Sequence, residues 1–230
     1  NGHIGLRANL EEGEPHAVPG TYLNSFFEVR PLPYAEAGFG FPEAGQTVVN
    51  VTDGKVIRLL VDDEPFDVRY GRLLSHERCL DFRTGQLARR VEWESPTGKR
   101  VRITTHRLVS LTQRSVAAIH YEVEPIEGSA YIVVQSELVD NEPLPAGVHD
   151  PRTSAVLESP LVSDLHMHDG HRAVLVHHTR LSGLFVAAAM DHEVEGPDEI
   201  DLQAECSGDL ARLTVATEVR AGHPLRIVKY

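Results

Sequence analysis

The 230-residue sequence contains only two cysteines, Cys79 and Cys206, and they lie far apart in the chain. One pair cannot form the disulfide framework that holds small secreted domains together. We therefore predict two buried free thiols in a reducing cytoplasm. A chain of this length needs no such staples, because it can bury roughly 70% of the surface that its unfolded form exposes.

The sequence also lacks long apolar runs and clustered positive charge. No run of ~18 apolar residues is available to span a bilayer, and no signal peptide is recognisable. The net charge is −12, which argues against nucleic-acid binding because that binding relies on clustered Lys and Arg. The longest basic stretch, Lys99–Arg102, alternates as a solvated strand face would. We expect a cytoplasmic protein with neither a membrane nor a nucleic acid as its partner.

Familiar catalytic motifs are missing as well. There is no Gly-x-Ser-x-Gly elbow, no Walker loop, and no cysteine in a recognisably reactive context. Gly38-Phe39-Gly40 lacks the third glycine and the following helix of a dinucleotide-binding loop. We predict no catalytic residue and no cofactor within this chain.

Carboxylates are abundant, but their spacing defines no pair. A glycosidase needs two carboxyl groups, about 5–5.5 Å apart in retaining enzymes and ~6.5–9.5 Å apart in inverting enzymes. The candidates Glu11, Glu12, Glu28 and Glu36 have no spacing that pairs any two of them. We interpret Glu11 and Glu12 as a charged loop before Gly13.

Thirteen histidines are many for a chain of this length, and several lie close together. His166 and His168 would share one face of a strand, a geometry that can support a metal ion. No cysteine or spaced carboxylates complete a zinc pattern around them or around His177 and His178. We predict solvent-facing histidines before a turn, and no metal.

Apolar and polar residues alternate with a period of two in many segments of the sequence. Val101, Ile103 and Thr105 alternate with polar neighbours, and residues 116–123 and 212–217 follow a similar rhythm. Such alternation is typical of strands with one face on a core. Turns such as Ser95–Gly98 separate the runs at regular intervals, which indicates a sandwich or a barrel. We predict an all-β fold, a large antiparallel β-sandwich forming one domain over residues 1–230.

Aromatic residues cluster near the start of the chain. Alternation buries either Phe26 or Phe27, but Tyr34, Phe39 and Phe41 lie in a Gly- and Pro-rich segment that we interpret as a structured loop. Aromatic faces of this kind bind sugars when polar groups surround them. These three side chains are therefore candidates for facing a ligand or another domain.

A series of motifs runs along the whole chain in a fixed order. They are Asn1–Gly13, Pro19–Asn24, Phe27-Glu28, Asn50-Val51, Leu80–Gly85, Trp93, Thr105–Leu111 and Arg220–Tyr230. Each motif is weak, but the ordered series resembles the amino-terminal part of glycoside hydrolase family 65. That family includes maltose, trehalose and kojibiose phosphorylases and related α-glucoside hydrolases.

The resemblance implies a β-supersandwich, the fold also found in galactose mutarotase. In the family it is followed by a helical linker and a catalytic (α/α)₆ barrel, which this chain lacks. The general acid and the phosphate-binding residues belong to that barrel, so none is carried over. The resemblance thus implies a non-catalytic domain of an enzyme for phosphorolysis or hydrolysis of α-linked glucose disaccharides.

The barrel of the same polypeptide is then the expected partner. We predict that residues 31–47 form a rim at its mouth, and that an apolar patch marks where it packs. A disaccharide, inorganic phosphate and a second copy of the chain are further partners to consider in the full enzyme. The predicted rim residues are Tyr34, Glu36, Phe39, Phe41 and Glu43.

Two alternative functions remain open at this point. One is a free-standing carbohydrate-binding module, which binding of glycans by the isolated chain would favour. The other is a mutarotase-like sugar isomerase, which needs an acid and a base in one cleft. His106, His120 or His166 beside a Glu would be the place to find that pair.

Overall fold

The structure of the protein is a computed structural model, and it describes residues 1–13, 20–32, 38–142, 157 and 159–230. The described residues form eighteen β-strands and no helix. The strand pairings among them are antiparallel. An all-β fold is thereby confirmed.

The strands follow one another through mostly short connections. Their bounds are β1 Ile4–Leu6, β2 Thr21–Leu23, β3 Phe27–Pro31, β4 Ala44–Val48, β5 Ile57–Val61, β6 Glu64–Pro65, β7 Arg72–Asp81, β8 Gln86–Glu94, β9 Arg100–Val109, β10 Ala117–Pro125, β11 Ser129–Val139, β12 Leu161–Asp169, β13 Arg172–Thr179, β14 Phe185–Met190, β15 His192–Glu195, β16 Asp201–Cys206, β17 Leu210–Arg220 and β18 Leu225–Lys229.

Two open sheets stack face to face to form the sandwich. One has six strands in the order β15-β18-β10-β9-β8-β7, and the other has five in the order β16-β17-β11-β5-β6. Alternation places Val101, Ile103 and Thr105 of β9 on the inner face, where all three are buried. Trp93 and Ile132, from opposite sheets, are both fully buried in the core between them. Each fully buried aliphatic side chain contributes about 1.5–3 kcal/mol, so the inner faces supply much of the stabilisation.

Turn residues fix the register of the hairpins. In the Ser95–Gly98 turn, the Ser95 N–H donates to the carbonyl of Lys99 at 2.7 Å. Gly98 has φ +87°, a left-handed conformation that costs glycine little because it has no Cβ. The turn predicted from the sequence is confirmed, and it joins β8 to β9.

A three-stranded sheet, β12-β13-β14, extends the sandwich at one side. Its inner face carries Leu175 and Met190, which pack against Leu138 of β11 and Ala211 of β17. The third sheet is therefore joined to the five-stranded sheet by a small apolar cluster of its own. A further hairpin, β3–β4, and the pair β1–β2 complete the described strands.

The basic stretch behaves as predicted, but the cysteines do not. Val101 is buried while Arg100 and Arg102 point outwards. Both cysteines are free, but Cys79 is exposed and Cys206 is only partly buried. The prediction of two buried thiols is wrong because Cys79 lies on β7, an edge strand that is exposed along its whole length. Burial raises the pKa of the Cys206 thiol.

Two further expectations concern segments and membranes. The polar residues 139–152, with Pro143, Pro145 and Pro151, also have the composition of a long loop, and most of them lie outside the described residues. Within the described ranges, no helix has the length and apolar character needed to cross a membrane.

Candidate functional site

The predicted rim, residues 31–47, is built on a β-hairpin. β3 pairs with β4 so that Pro31 lies opposite Ala44, and the Leu32 N–H donates to the carbonyl of Glu43 at 3.0 Å. The loop predicted around Tyr34, Phe39 and Phe41, over residues 34–46, is therefore wrong at its carboxyl end, where β4 begins at Ala44. Backbone pairing makes β4 a strand although its residues lack the apolar alternation that would have predicted one.

Three of the five predicted rim residues are described. Phe39 is fully exposed, Phe41 is about half exposed and Glu43 is exposed. The Phe41 ring covers Gly38, where an added Cβ would lie 2.7 Å from Cε2 of the ring. The structure thus brings these residues together near the tip of one hairpin, with Phe39 unburied by this chain. The placement of Tyr34 and Glu36 lies outside the described residues, so their part in the rim stays a prediction.

Glu28 anchors this hairpin to the turn between β13 and β14. Its buried carboxylate accepts hydrogen bonds from the N–H of Leu181 at 2.9 Å and from the N–H and the hydroxyl of Ser182, both at 2.7 Å. Burial alone would raise the pKa of Glu28, but these donors outweigh it and lower the pKa. The carboxylate is therefore an ionised structural acceptor that holds the base of the hairpin in place.

Glu11 and Glu12 lie in a turn before Gly13, as predicted, but their side chains are buried and only 3% and 8% exposed. Arg89 binds both oxygens of Glu12, at 2.6 and 2.8 Å, and lies 3.2 Å from Glu11. Tyr121 donates its hydroxyl to Glu12 at 2.7 Å, and Arg107 lies 3.6 Å from Glu11. The two side chains are buried because the segment after β1 runs over the inner face of the six-stranded sheet, where Arg89 and Arg107 pair with them.

Two groups of this ionic network, Arg89 and Tyr121, have strongly shifted pKa values. Burial alone would lower the pKa of Arg89, but Glu12 and Glu11 outweigh it and raise the pKa. Burial and Glu12 raise the pKa of Tyr121 well above its usual value. Neither Arg89 nor Tyr121 is suited to exchanging a proton near neutral pH, and we assign the network to stabilising the fold. The sequence carries one signal of it, because Arg89 alternates in phase with Val91 and Trp93, which are buried on β8.

His177 belongs to a buried cluster with Asp140 and Asp209. Its Nδ1 lies 3.4 Å from Asp140, and its Nε2 lies 3.0 Å from Asp209. Burial raises the pKa of Asp140 to about 6, while His177 opposes the rise. His166 and His168 lie exposed on β12, as predicted. Among the described residues, no three His, Cys, Asp or Glu side chains are grouped closely enough to hold a metal ion.

Of the histidines considered for sugar isomerisation, His106 and His120 are half-buried and His166 is exposed. His106 and His120 face each other on β9 and β10, with ring centroids 5.9 Å apart. Burial lowers the pKa of His120, while Glu122 opposes that shift. No hydrogen bond joins either ring, or that of exposed His166, to a glutamate among the described residues. The described geometry therefore offers no assembled acid–base couple to favour that alternative.

The chain belongs to a family of carbohydrate-active enzyme domains. The family model described as "Glycosyl hydrolase family 65, N-terminal domain" matches residues 1–230. The chain is therefore an N-terminal domain of glycosyl hydrolase family 65, as the ordered motifs indicated.

Curated relatives are much longer than this chain. It is 60% identical over 230 residues to an uncharacterized glycosyl hydrolase of Mycobacterium tuberculosis (strain ATCC 25618 / H37Rv), matching 100% of this chain and 29% of the relative. It is 32% identical over 235 residues to the alpha,alpha-trehalose phosphorylase of Thermoanaerobacter brockii, matching 100% of this chain and 30% of the relative. The chain thus spans less than a third of these relatives.

A solved structure has the same fold. A protein described provisionally as a kojibiose phosphorylase from the human microbiome aligns with a TM-score of 0.83 and 18% sequence identity. The alignment covers 100% of this chain and 28% of that chain. At this identity the likeness confirms the supersandwich fold alone.

Proposed function

We propose that this chain is the non-catalytic amino-terminal domain of a longer enzyme, and that it packs against a catalytic (α/α)₆ barrel and shapes its mouth. The enzyme would act on α-linked glucose disaccharides in the cytoplasm, with phosphate or water as the acceptor. The proposal is supported by two matched lengths. The family model matches residues 1–230, yet these residues correspond to only 29% of the mycobacterial relative. Most of such an enzyme would lie outside this domain.

The anchored hairpin is the part of the domain best suited to shaping a neighbouring site. Phe39 and Phe41 are exposed near its tip, and burying each against another domain would contribute on the order of 1.5–3 kcal/mol. Glu28 fixes the base of the hairpin through three hydrogen bonds. A held hairpin loses less conformational entropy on contact than a free loop would, which favours a defined wall beside the substrate.

Substitution of the two phenylalanines in the full-length enzyme tests this role. We expect the double variant Phe39→Ala/Phe41→Ala to lose about tenfold in kcat/KM for the disaccharide, because small displacements of a positioning wall reduce turnover. Phe82→Ala is the matched control, since Phe82 is 90% exposed at the turn between β7 and β8. Steady-state kinetics with several disaccharides gives the readout.

Unchanged kinetics would contradict this role of the hairpin. If the double variant and the Phe82→Ala control show the same kcat/KM and the same order of substrate preference, the hairpin does not shape the site. Hydrolysis and phosphorolysis are separated in the same assays by adding or omitting inorganic phosphate.

A further inference from the structure

The outer faces of the two large sheets carry cross-strand ion pairs. On the six-stranded sheet, Arg102 contacts Glu92 at 3.0 Å and Glu124 at 2.7 Å. On the five-stranded sheet, Arg212 contacts Glu137 at 2.7 Å and Glu205 at 2.6 Å. Such ladders of charge are typical of antiparallel sheets that face water.

The outer face of the three-stranded sheet is apolar by contrast. Register places Met167 opposite Val174, Leu165 opposite Val176, and Val176 opposite Ala187, all on that face. Leu165 and Met167 are about half exposed, and Phe185 on the same face is 71% exposed. We call this the β12–β14 outer face, formed by Leu165, Met167, Val174, Val176, Phe185 and Ala187.

Polar groups bound this face at both ends. Arg172 pairs with Asp191 at 2.9 Å at one end, and His178 contacts Asp164 at 2.7 Å at the other. A contiguous apolar patch rimmed by polar residues marks an interaction site in a soluble protein. The inner face of the same sheet is already occupied by the cluster around Leu175, so the outer face is available for a partner.

We propose that the β12–β14 outer face is the docking surface for the catalytic domain of the same polypeptide, covered by an apolar, uncharged face of that domain. This inference rests on the proposed function. The mycobacterial relative has more than two thirds of its length outside the matched region. A segment of that length is large enough to form a domain that covers the β12–β14 outer face. In the part of the chain that the structure describes, no ion pair lies on this face between its bounding pairs, so the complementary surface should be poor in Lys, Arg, Asp and Glu.

The hairpin of the predicted rim begins next to this docking surface. Glu28 at its base binds Leu181 and Ser182, and β14 starts three residues later at Phe185. Leu181 is itself 66% exposed. One neighbouring domain could therefore rest on the β12–β14 outer face and contact the base of the hairpin at the same time.

The two methionines of the chain provide a direct test. Met167 is 52% exposed on the outer face, whereas Met190 is 3% exposed on the inner side of the same sheet. In the full-length protein, treated with hydrogen peroxide and followed by peptide mass spectrometry, we expect Met167 to oxidise as slowly as Met190. An uncovered Met167 would oxidise about tenfold faster than Met190, because oxidation follows solvent access, and that result would overturn the proposal.

A matched pair of variants checks that docking causes the protection. Ala187→Glu places a charge in the docking surface, and Gln203→Glu places one on exposed β16 of the five-stranded sheet. We expect Ala187→Glu to speed oxidation of Met167 about tenfold and Gln203→Glu to leave it unchanged. Slow oxidation of Met190 in both variants shows that the domain is still folded. If Ala187→Glu unfolds the domain, radical footprinting of Phe185 in the unaltered protein decides instead, and strong labelling contradicts the proposal.

The remaining outcomes separate the two proposals. Protection of Met167 that disappears when the protein is diluted to monomers would identify a second copy as the cover and overturn this inference. Footprinting that protects Leu108 on the six-stranded sheet but not Phe185 would mean that the barrel docks elsewhere, leaving the proposed function intact. If neither face is protected and the hairpin variants are fully active, both proposals fail.

Discussion

Arg89 illustrates how much a single residue can matter in this sandwich. It is the cation that faces two buried carboxylates, Glu11 and Glu12, and it lies on the inner face of β8. Removing one partner of a buried ionic group leaves the others uncompensated in a medium of low polarity. The energetic consequence should therefore be far larger than that of any surface pair.

We expect Arg89→Ala to lower the free energy of unfolding by about 3–5 kcal/mol. Arg90→Ala is the control, because Arg90 is the next residue, points the other way, and lies 3.8 Å from Glu92 with most of its side chain exposed. Its cost should be at most about 0.5 kcal/mol. Urea unfolding followed by circular dichroism measures both, and equal costs would show that the network contributes nothing special.

The buried amino group of Lys229 should make the free energy of unfolding depend on pH. It is fully buried with Nζ donating to the carbonyl of Glu137 at 2.6 Å, and burial lowers its pKa to about 7, with Asp53 and Glu137 opposing. Its unfolded pKa is about 10.4. Between these values the unfolded chain binds one proton more than the folded chain, so the stability due to this group rises as pH increases.

Lys229→Met should remove this dependence. From pH 7 to pH 9 we expect the unfolding free energy of the unaltered protein to rise relative to that of the variant by about 1 kcal/mol per pH unit. Lys99→Met, which alters a partly exposed lysine, should leave the slope unchanged. Urea titrations at each pH provide the measurement, and parallel curves for all three proteins would contradict the prediction.

At the scale of elements, Glu28 joins the β3–β4 hairpin to a turn more than 150 residues away. We expect Glu28→Ala to leave the N–H groups of Leu181 and Ser182 without their acceptor, at a cost of about 1–3 kcal/mol. Hydrogen exchange of the β3 and β4 amides should speed up while the β8–β9 hairpin is unaffected. Glu43→Ala, an exposed glutamate beside β4, is the matched control. Unchanged exchange in β3 and β4 would mean that other contacts hold the hairpin.

The sequence predicts elements well where one face is apolar and the other polar. β9 and β17 have that pattern, and their inward residues Ile103 and Leu213 are buried as expected. It predicts poorly where pairing alone makes the strand. The residues of β4 are mostly small or polar, so alternation does not predict that strand. β7 is exposed on both faces, so alternation does not predict whether Cys79 is buried.

The candidate site was predictable only in part, for the same physical reason. Exposed aromatics in a Gly-rich segment pointed to Phe39 and Phe41. Nothing local indicated that Glu28 would meet Ser182, because that contact depends on how two distant hairpins pack. Likewise, the burial of Glu12 depends on Arg89 in another strand, which a one-dimensional pattern does not reveal.

The three-stranded sheet β12-β13-β14 and the sandwich should unfold together. The two clusters draw on the same strands, since β11 supplies Ile132 to the main core and Leu138 to the cluster of the third sheet. β17 does the same with Leu213 and Ala211. Loss of one cluster should therefore loosen the strands that build the other.

This sharing predicts one cooperative transition. Trp93 is the single tryptophan of the chain and is fully buried in the main core, so its fluorescence reports on the sandwich alone, whereas far-ultraviolet circular dichroism reports on all strands. We expect the two signals to change with the same midpoint and slope in urea, because coincident probes are the mark of two-state unfolding. A dichroism change that precedes the Trp93 change would mean that β12–β14 unfolds first as a separate unit. Leu138→Ala then distinguishes the cases: it should shift both curves together if the clusters are coupled, and only the earlier transition if they are not.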